Sequence, residues 1–366
     1  MSPRVSFIVP CYRLAHLLPE CIDSILMQTY ADLEVIIMDD CSPDNTEEIA
    51  HSYDDPRVKY IRNEQNLGHL SNYNKGIALS AGKYVWLISA DDRLRFPYVL
   101  ERYVQLLEAH PDVGYVFCPA MGVFDGRETR VINTHGCKDA VFDGIDFLTR
   151  LLDANTVVAP CAIARKECYE ELSYFPLDMP WAGDWYLWCV FALRYRVGYF
   201  AEPMVNYRTH DLSMTNTLMA RDPRICINDD MLVWHRTLER AREAKEKRIV
   251  KRCRHLMAYT YAMSVLSPRY GNRVLTVAES YDSAARIVGN RRDLRLLWAR
   301  FCACIGDQES WKHQFRSAFQ WYSKGLYRDP LMLTVWLKLL SLVLAKKGLQ
   351  VRQKVRTLGK LSWSNL

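Results

Sequence analysis

Paired carboxylates at the ends of apolar runs are the residues of this chain best placed to do chemistry. Tyr84-Val85-Trp86-Leu87-Ile88-Ser89-Ala90 is a β-branched and aromatic run that stops at Asp91-Asp92, and Leu33 to Met38 is a second that stops at Asp39-Asp40. In an open α/β sheet, ligands bind outside the carboxyl ends of the strands, so acids placed there are available to a cation. The plainer alternative is that they only turn the chain, as Asp commonly does. Two more acids fall at the predicted start of a helix, Asp184, and at a strand end, His210-Asp211. Displacement at a carbon bearing a nucleoside diphosphate unites the set. The departing diphosphate gathers negative charge, which Mg2+ or Mn2+ held by one or two carboxylates stabilises. A separate carboxylate takes the proton of the attacking hydroxyl as general base. Asp184 fits that role: Trp181 and Trp185 would wall a sugar and partly desolvate the acid, raising its pKa towards the working range. Trp185 and Trp188 also have the spacing of a buried helix face. His210 is either a further metal or diphosphate contact or a polar turn residue, and Arg208 either binds phosphate or pairs with Glu202.

The elements that must position these residues alternate. Strands are expected at 4–10, 33–38, 58–61, 84–90 and 113–118, with helices between them near 17–26, from Glu47-Glu48 onward, and near 70–79 and 97–109. Such alternation implies parallel βαβ units with right-handed crossovers. Residues 129–139 read as irregular, 141–152 as helix, 160–164 as a short strand, 184–196 as helix and 199–208 as one returning strand. Beyond about residue 216 only charged amphipathic helices are expected, without a clear repeat period.

At 366 residues and 49% hydrophobic content the chain can bury a full core, and its length suits two domains or one with an extension. Twelve scattered cysteines without a C-x-x-C pair suit reduced thiols in a cytosolic protein. Val5 to Val9 is too short, and lacks the basic start, for a signal peptide. Residues 1–238 carry 22 Lys and Arg against 33 Asp and Glu, whereas residues 239–366 carry 26 against 9. An acidic half suits metal-assisted handling of an anionic ligand, and a basic half suits an anionic surface. No nucleic-acid-binding motif accompanies the basic half. Residues 331–344 are apolar but shorter than the ~20 residues that span a bilayer. They read as a core helix, a homo-oligomer contact or an interfacial helix, and the polybasic 345–366 after them reads as a tail for an anionic membrane surface.

Val5-Ser6-Phe7-Ile8-Val9-Pro10-Cys11-Tyr12, Glu34 to Ser42, Asn66-Leu67-Gly68 through Asn74-Lys75-Gly76, Ser89-Ala90-Asp91-Asp92, Gly183-Asp184 and Tyr207-Arg208-Thr209-His210 form an ordered set. In this the sequence, over about residues 4–215, resembles family 2 glycosyltransferases with the GT-A fold. The resemblance implies that Pro10 and Tyr12 line a nucleobase pocket, that Asp39 hydrogen-bonds the base with Asp40 beside it, and that Asn66 and Lys75 lie near the nucleotide. It implies that Asp92, with Asp91, is the metal motif, Asp91 lying nearer the donor's ribose or sugar, and that Asp184 is the catalytic base. Ala90 stands where the motif often has its first acid. The expected fold is a Rossmann-like, mostly parallel mixed sheet with helices on both faces (1–215), followed by an all-α basic extension (216–366). The expected activity is inverting transfer from a nucleotide-sugar donor, a UDP-sugar, to a glycan or lipid-linked acceptor, in the cytoplasm or at the inner face of the cell membrane. A non-catalytic sugar-nucleotide-binding module and a nucleotidyltransferase are the rivals. The second should carry a Gly-rich phosphate loop after strand one, where Pro10-Cys11-Tyr12-Arg13 stands instead.

Overall fold

The computed structural model describes residues 2–210, 222, 224–266 and 275–343. Asp211 and the tail at 345–366 lie outside the described residues. The chain divides into two compact units, Met1–Arg252 and Cys253–Leu366.

The first unit opens with β1 (Val5–Cys11), α1 (Leu18–Leu26), β2 (Leu33–Asp39), α2 (Thr46–His51), β3 (Val58–Arg62), α3 (His69–Leu79) and β4 (Tyr84–Leu87). All four strands pair in parallel, in the order β3-β2-β1-β4. β1 and β2 are buried along their whole length, which is why they read as near-continuous apolar runs. The order reverses at β1, so the carboxyl ends of β1, β2 and β4 open onto one crevice. Gly76 lets α3 lie close on this sheet, since a Cβ there would come within 2.4 Å of Ile8 Cγ2.

The chain continues through β5 (Arg93–Leu94), α4 (Val99–Ala109), β6 (Val113–Phe117), β7 (Ala120–Phe124), β8 (Arg127–Ile132), β9 (Ala140–Phe142) and α5 (Gly144–Leu151). β10 (Ala162–Arg165), α6 (Lys166–Glu171), α7 (Gly183–Arg194), β11 (Arg196–Tyr199), β12 (Val205–Thr209) and α8 (Arg224–Glu243) follow. β10 enters antiparallel between β4 and β6, so the main sheet is mixed. Two sequence expectations change here. Residues 129–139 are not wholly irregular, because β8 pairs with β7 in a second sheet of order β5-β12-β7-β8. The single strand expected at 199–208 is two strands in different sheets, β11 beside β6 and β12 beside β7.

In the second unit, α9 (Lys247–Leu266, which begins in the first unit), α10 (Val277–Val288), α11 (Arg291–Trp311) and α12 (Phe315–Arg328) precede helical residues 333–343. Ala303, Ala318, Tyr322, Leu326, Val335, Leu339 and Leu342 form a core there. Among the described residues no helix is long and apolar enough to cross a membrane.

Candidate active site

The strand-end acids do unequal work. Asp39 is fully buried; its Oδ1 accepts from the Ser42 N–H at 2.8 Å, and its Oδ2 from the Tyr60 hydroxyl at 2.7 Å and Arg62 Nη1 at 2.8 Å. Arg62 also donates to the Ser42 carbonyl at 3.0 Å, so the carboxylate fixes the turn after β2. Asp40, also buried, accepts from Asn63 Nδ2 (2.9 Å), Leu67 N (2.8 Å) and Gly68 N (3.0 Å). Gly68 has φ +79, a conformation that glycine adopts without cost, and this lets the Asn66-Leu67-Gly68 loop turn into α3. Asn63 in turn accepts from Lys75 Nζ at 2.7 Å and donates to Asn72 Oδ1 at 2.8 Å. Lys75 and Asn66 therefore belong to one polar network around Asp40. At the end of β1, Pro10 accepts from Ala90 N at 3.2 Å, which ties β1 to the turn after β4. The exposed ring of Tyr12 stands beside them with Arg13 over it at 5.2 Å.

Asp91 and Asp92 diverge after their turn. Asp92 points inward and accepts from the Arg208 N–H at 2.9 Å. Burial, and then the neighbouring Asp91, hold its carboxyl well above the usual carboxylate range. Asp91 Oδ2 meets His210 Nε2 at 3.1 Å, while its buried Oδ1 has no hydrogen-bond partner among the described residues. Arg208 donates to the Asp91 carbonyl at 3.1 Å and pairs with Glu20 at 2.8 Å, not with Glu202, which Arg102 and Tyr98 occupy. The end of β12 thus closes on the acidic turn, and the oxygen left open belongs to Asp91.

Asp184 lies in the first turn of α7. Its Oδ2 accepts from Asn155 Nδ2 at 3.0 Å and its Oδ1 from the Trp185 N–H at 2.7 Å. Burial pushes the carboxyl up to about 6, against the pull of those two donors. Tyr73 on α3 relates this group to the other acids. Its phenol is pushed up first by burial, then by Asp91, Asp184 and Asp92, so all three acids lie within electrostatic reach of it.

The expectation that Trp185 walls a sugar does not hold. Its indole N–H donates to the Leu151 carbonyl at 2.8 Å, and its ring packs edge-on against Trp234 at 5.8 Å, in the core. Trp188 is buried as well. Asp184 thus opens a helix whose following residues are core.

Three residues that position Asp184 carry no signal in the sequence. Asn155 sits in a loop, and Asp229 and Trp234 sit on α8, where each looks like an ordinary member of an amphipathic helix. Ala182, the residue capping α7, has no side-chain cap of its own. Asp229 supplies one from a distance: its buried Oδ2 accepts from Trp181 N at 2.7 Å and Ala182 N at 3.1 Å. Trp234 donates to the Leu152 carbonyl at 2.8 Å, anchoring α8 to the end of α5, three residues before Asn155. His69 contacts the Pro180 carbonyl at 3.1 Å, and Asn74 exchanges two hydrogen bonds with Phe175, so α3 holds the segment ahead of α7.

Two outcomes follow from this geometry. Asn155→Ala removes a donor that lowers Asp184, so the carboxyl titrates above about 6, as read by 13C NMR; an unchanged midpoint would refute the role of that hydrogen bond. Asp229→Ala leaves two N–H groups without their acceptor and lowers unfolding stability by about 1–3 kcal/mol, whereas Asp229→Asn, which keeps an acceptor oxygen, loses less in the same urea titration.

Comparisons with known proteins place the chain among glycosyltransferases. The family model for glycosyl transferase family 2 matches residues 6–173. An uncharacterised glycosyltransferase of Rickettsia typhi is 28% identical over 60% of this chain and 68% of its own length. One from Haemophilus influenzae is 30% identical over 57% of this chain and 66% of its own. The crystal structure of S. aureus TarS 1-349 in complex with UDP superposes with a TM-score of 0.60 at 17% identity, over 89% of this chain and 92% of that one. Through residues 6–173, with β1 to β4 and the acidic turns that end them, the chain belongs to glycosyl transferase family 2 and is a glycosyltransferase of GT-A fold.

Proposed function

We propose that this site moves a sugar from a nucleoside-diphosphate sugar, a UDP-sugar, to a hydroxyl of a glycan or lipid-linked acceptor with inversion at the anomeric carbon. The observation that carries the reading is Asp184, a carboxylate at the start of α7 raised to about 6 by burial, which acts electrostatically on Tyr73 together with Asp91. A base with that pKa is ionised at neutral pH yet basic enough to accept a proton. The acceptor hydroxyl gives its proton to Asp184 as its oxygen bonds to the anomeric carbon, and the bond from that carbon to the diphosphate breaks with its electron pair leaving on the diphosphate. Attack from the side opposite the leaving group inverts the centre.

Asp91 and His210 are the residues that would hold a divalent cation. Asp91 Oδ1, buried and without a hydrogen-bond partner among the described residues, is a hard oxygen for a cation, and His210 Nε2 lies at the other oxygen. No group of three or more ligand side chains occurs among the described residues. Mg2+ or Mn2+ can bind through one or two carboxylates and take its remaining ligands from phosphates and water. Bound there, the cation would supply Lewis-acid stabilisation of the departing diphosphate. This reading gives the open position to Asp91 and leaves Asp92 to anchor β12. Tyr12 offers a ring for the base, with Pro10 behind it, and Arg62 is the exposed side of the Asp39 network. Twelve free thiols, most of them buried, support a reducing, cytoplasmic setting. We take residues 1–215 as the catalytic domain, with α8 bracing it.

Asp184→Asn should cut transfer about 100- to 10,000-fold and abolish the acid limb that the wild type shows as pH falls through about 6. The same change should raise stability at pH 7. Because the folded carboxyl titrates near 6, above an ordinary aspartate, its contribution to stability is full only below the ordinary aspartate range and is lost as pH rises through about 6. By pH 7 the loss amounts to roughly 3 kcal/mol. Full transfer by the variant would sink the base assignment. In thermal-shift measurements Mn2+ should add to the stabilisation given by UDP, and Asp91→Ala should erase that increment while UDP alone still stabilises; an increment that survives would reassign the cation site.

A further inference from the structure

Helical residues 333–343 in the second unit are apolar on two sides. Val335, Leu339 and Leu342 face the core with Ala318, Tyr322 and Leu326. On the opposite side Leu333, Trp336, Leu337, Leu340 and Val343 are between 40% and 69% exposed, and their spacing makes one continuous stripe. Tyr327 and Leu331, nearly fully exposed, extend it. Between the stripe and α12 runs an open groove of about 550 Å3, lined by Phe319, Leu326, Tyr327, Trp336, Leu340 and Val343. A contiguous apolar surface of this kind marks an interaction site rather than the scattered exposure that every protein shows.

Charge selects the partner. Residues 253–366 carry 19 Lys and Arg against 6 Asp and Glu, a balance of +13. Lys312, Arg316 and Lys324, exposed on or next to α12, form no ion pair among the described residues. Arg316, Phe319, Ser323 and Tyr327 recur at helical spacing, so one stripe of α12 joins a cation to the groove. A second copy would bring like charge against like. An anionic lipid surface takes up the apolar stripe and neutralises its cationic border, with Trp336 and Tyr327 suited to the headgroup level.

We propose that the exposed face formed by α12 and residues 333–343 docks on an anionic membrane surface, lying in it rather than crossing it. This assignment is independent of the donor and base reading above. Full-length protein is floated with vesicles of phosphatidylcholine alone and of phosphatidylcholine with 30% phosphatidylserine. The expected result is at least tenfold tighter binding to the anionic vesicles, weakened by salt. In the full chain Leu337→Glu/Leu340→Glu, on the exposed side of the helix, should lose at least tenfold of that binding while keeping its melting temperature and its rate of UDP-sugar turnover. Equal binding to both vesicle types, or undiminished binding by the variant, overturns the proposal. So does an ultracentrifuge result in which the wild type is a dimer that the variant dissolves, since the face would then belong to a second copy. Full transfer by Asp184→Asn, which would sink the base assignment, would leave this result untouched.

Discussion

A carboxylate taken out of water must find hydrogen-bond donors or give up its charge, and that requirement organises this structure. Asp39, Asp40, Asp92 and Asp229 all accept from backbone N–H groups, at Ser42, at Leu67 and Gly68, at Arg208, and at Trp181 and Ala182 respectively. Each of these bonds fixes a segment bordering the site. Most of the acids that a chemist would first suspect therefore also act as fasteners. What remains available is Asp91, with one oxygen unpartnered among the described residues, and Asp184, held by Asn155 and its own neighbour's N–H but kept basic by burial.

Much of this was legible in the sequence where a segment's surroundings are decided locally. β1 and β2 are covered on both faces, so their apolar runs announced them. Asp184 announced itself by a glycine, two tryptophans and the start of a helix. The illegible parts depend on partners far along the chain. β8 is exposed for nearly its whole length, so no alternation marked it, and its strand character comes from pairing with β7. That Asp91 and Asp92 have different surroundings depends on the N–H of Arg208 returning to the turn from more than a hundred residues on. Asp229 was invisible because its two partners are more than forty residues earlier.

The aromatic cluster around Asp184 shows how a correct observation can carry the wrong role. Trp185 does surround the acid with apolar matter, but as part of a core it shares with Trp234 and the end of α5, its N–H satisfied by Leu151. The packing of α7 puts Asp184 in this setting before any ligand arrives, so its raised pKa belongs to the fold.

Helix α3 touches both sides of this arrangement. Asn72 and Lys75 join the polar network beneath the Asn66–Gly68 loop, while His69 and Asn74 grip the segment leading to Asp184. Its fit to the sheet through Gly76 leaves little room for adjustment. Anyone redesigning this enzyme for a different donor would find that helix a poor place to begin, because a shift made there would also tilt Asp184. Tyr12 and Arg62 have no such tie to α7 among the described residues, so on the reading proposed above donor preference can drift there, in the laboratory or in evolution, while Asp184 stays where it is.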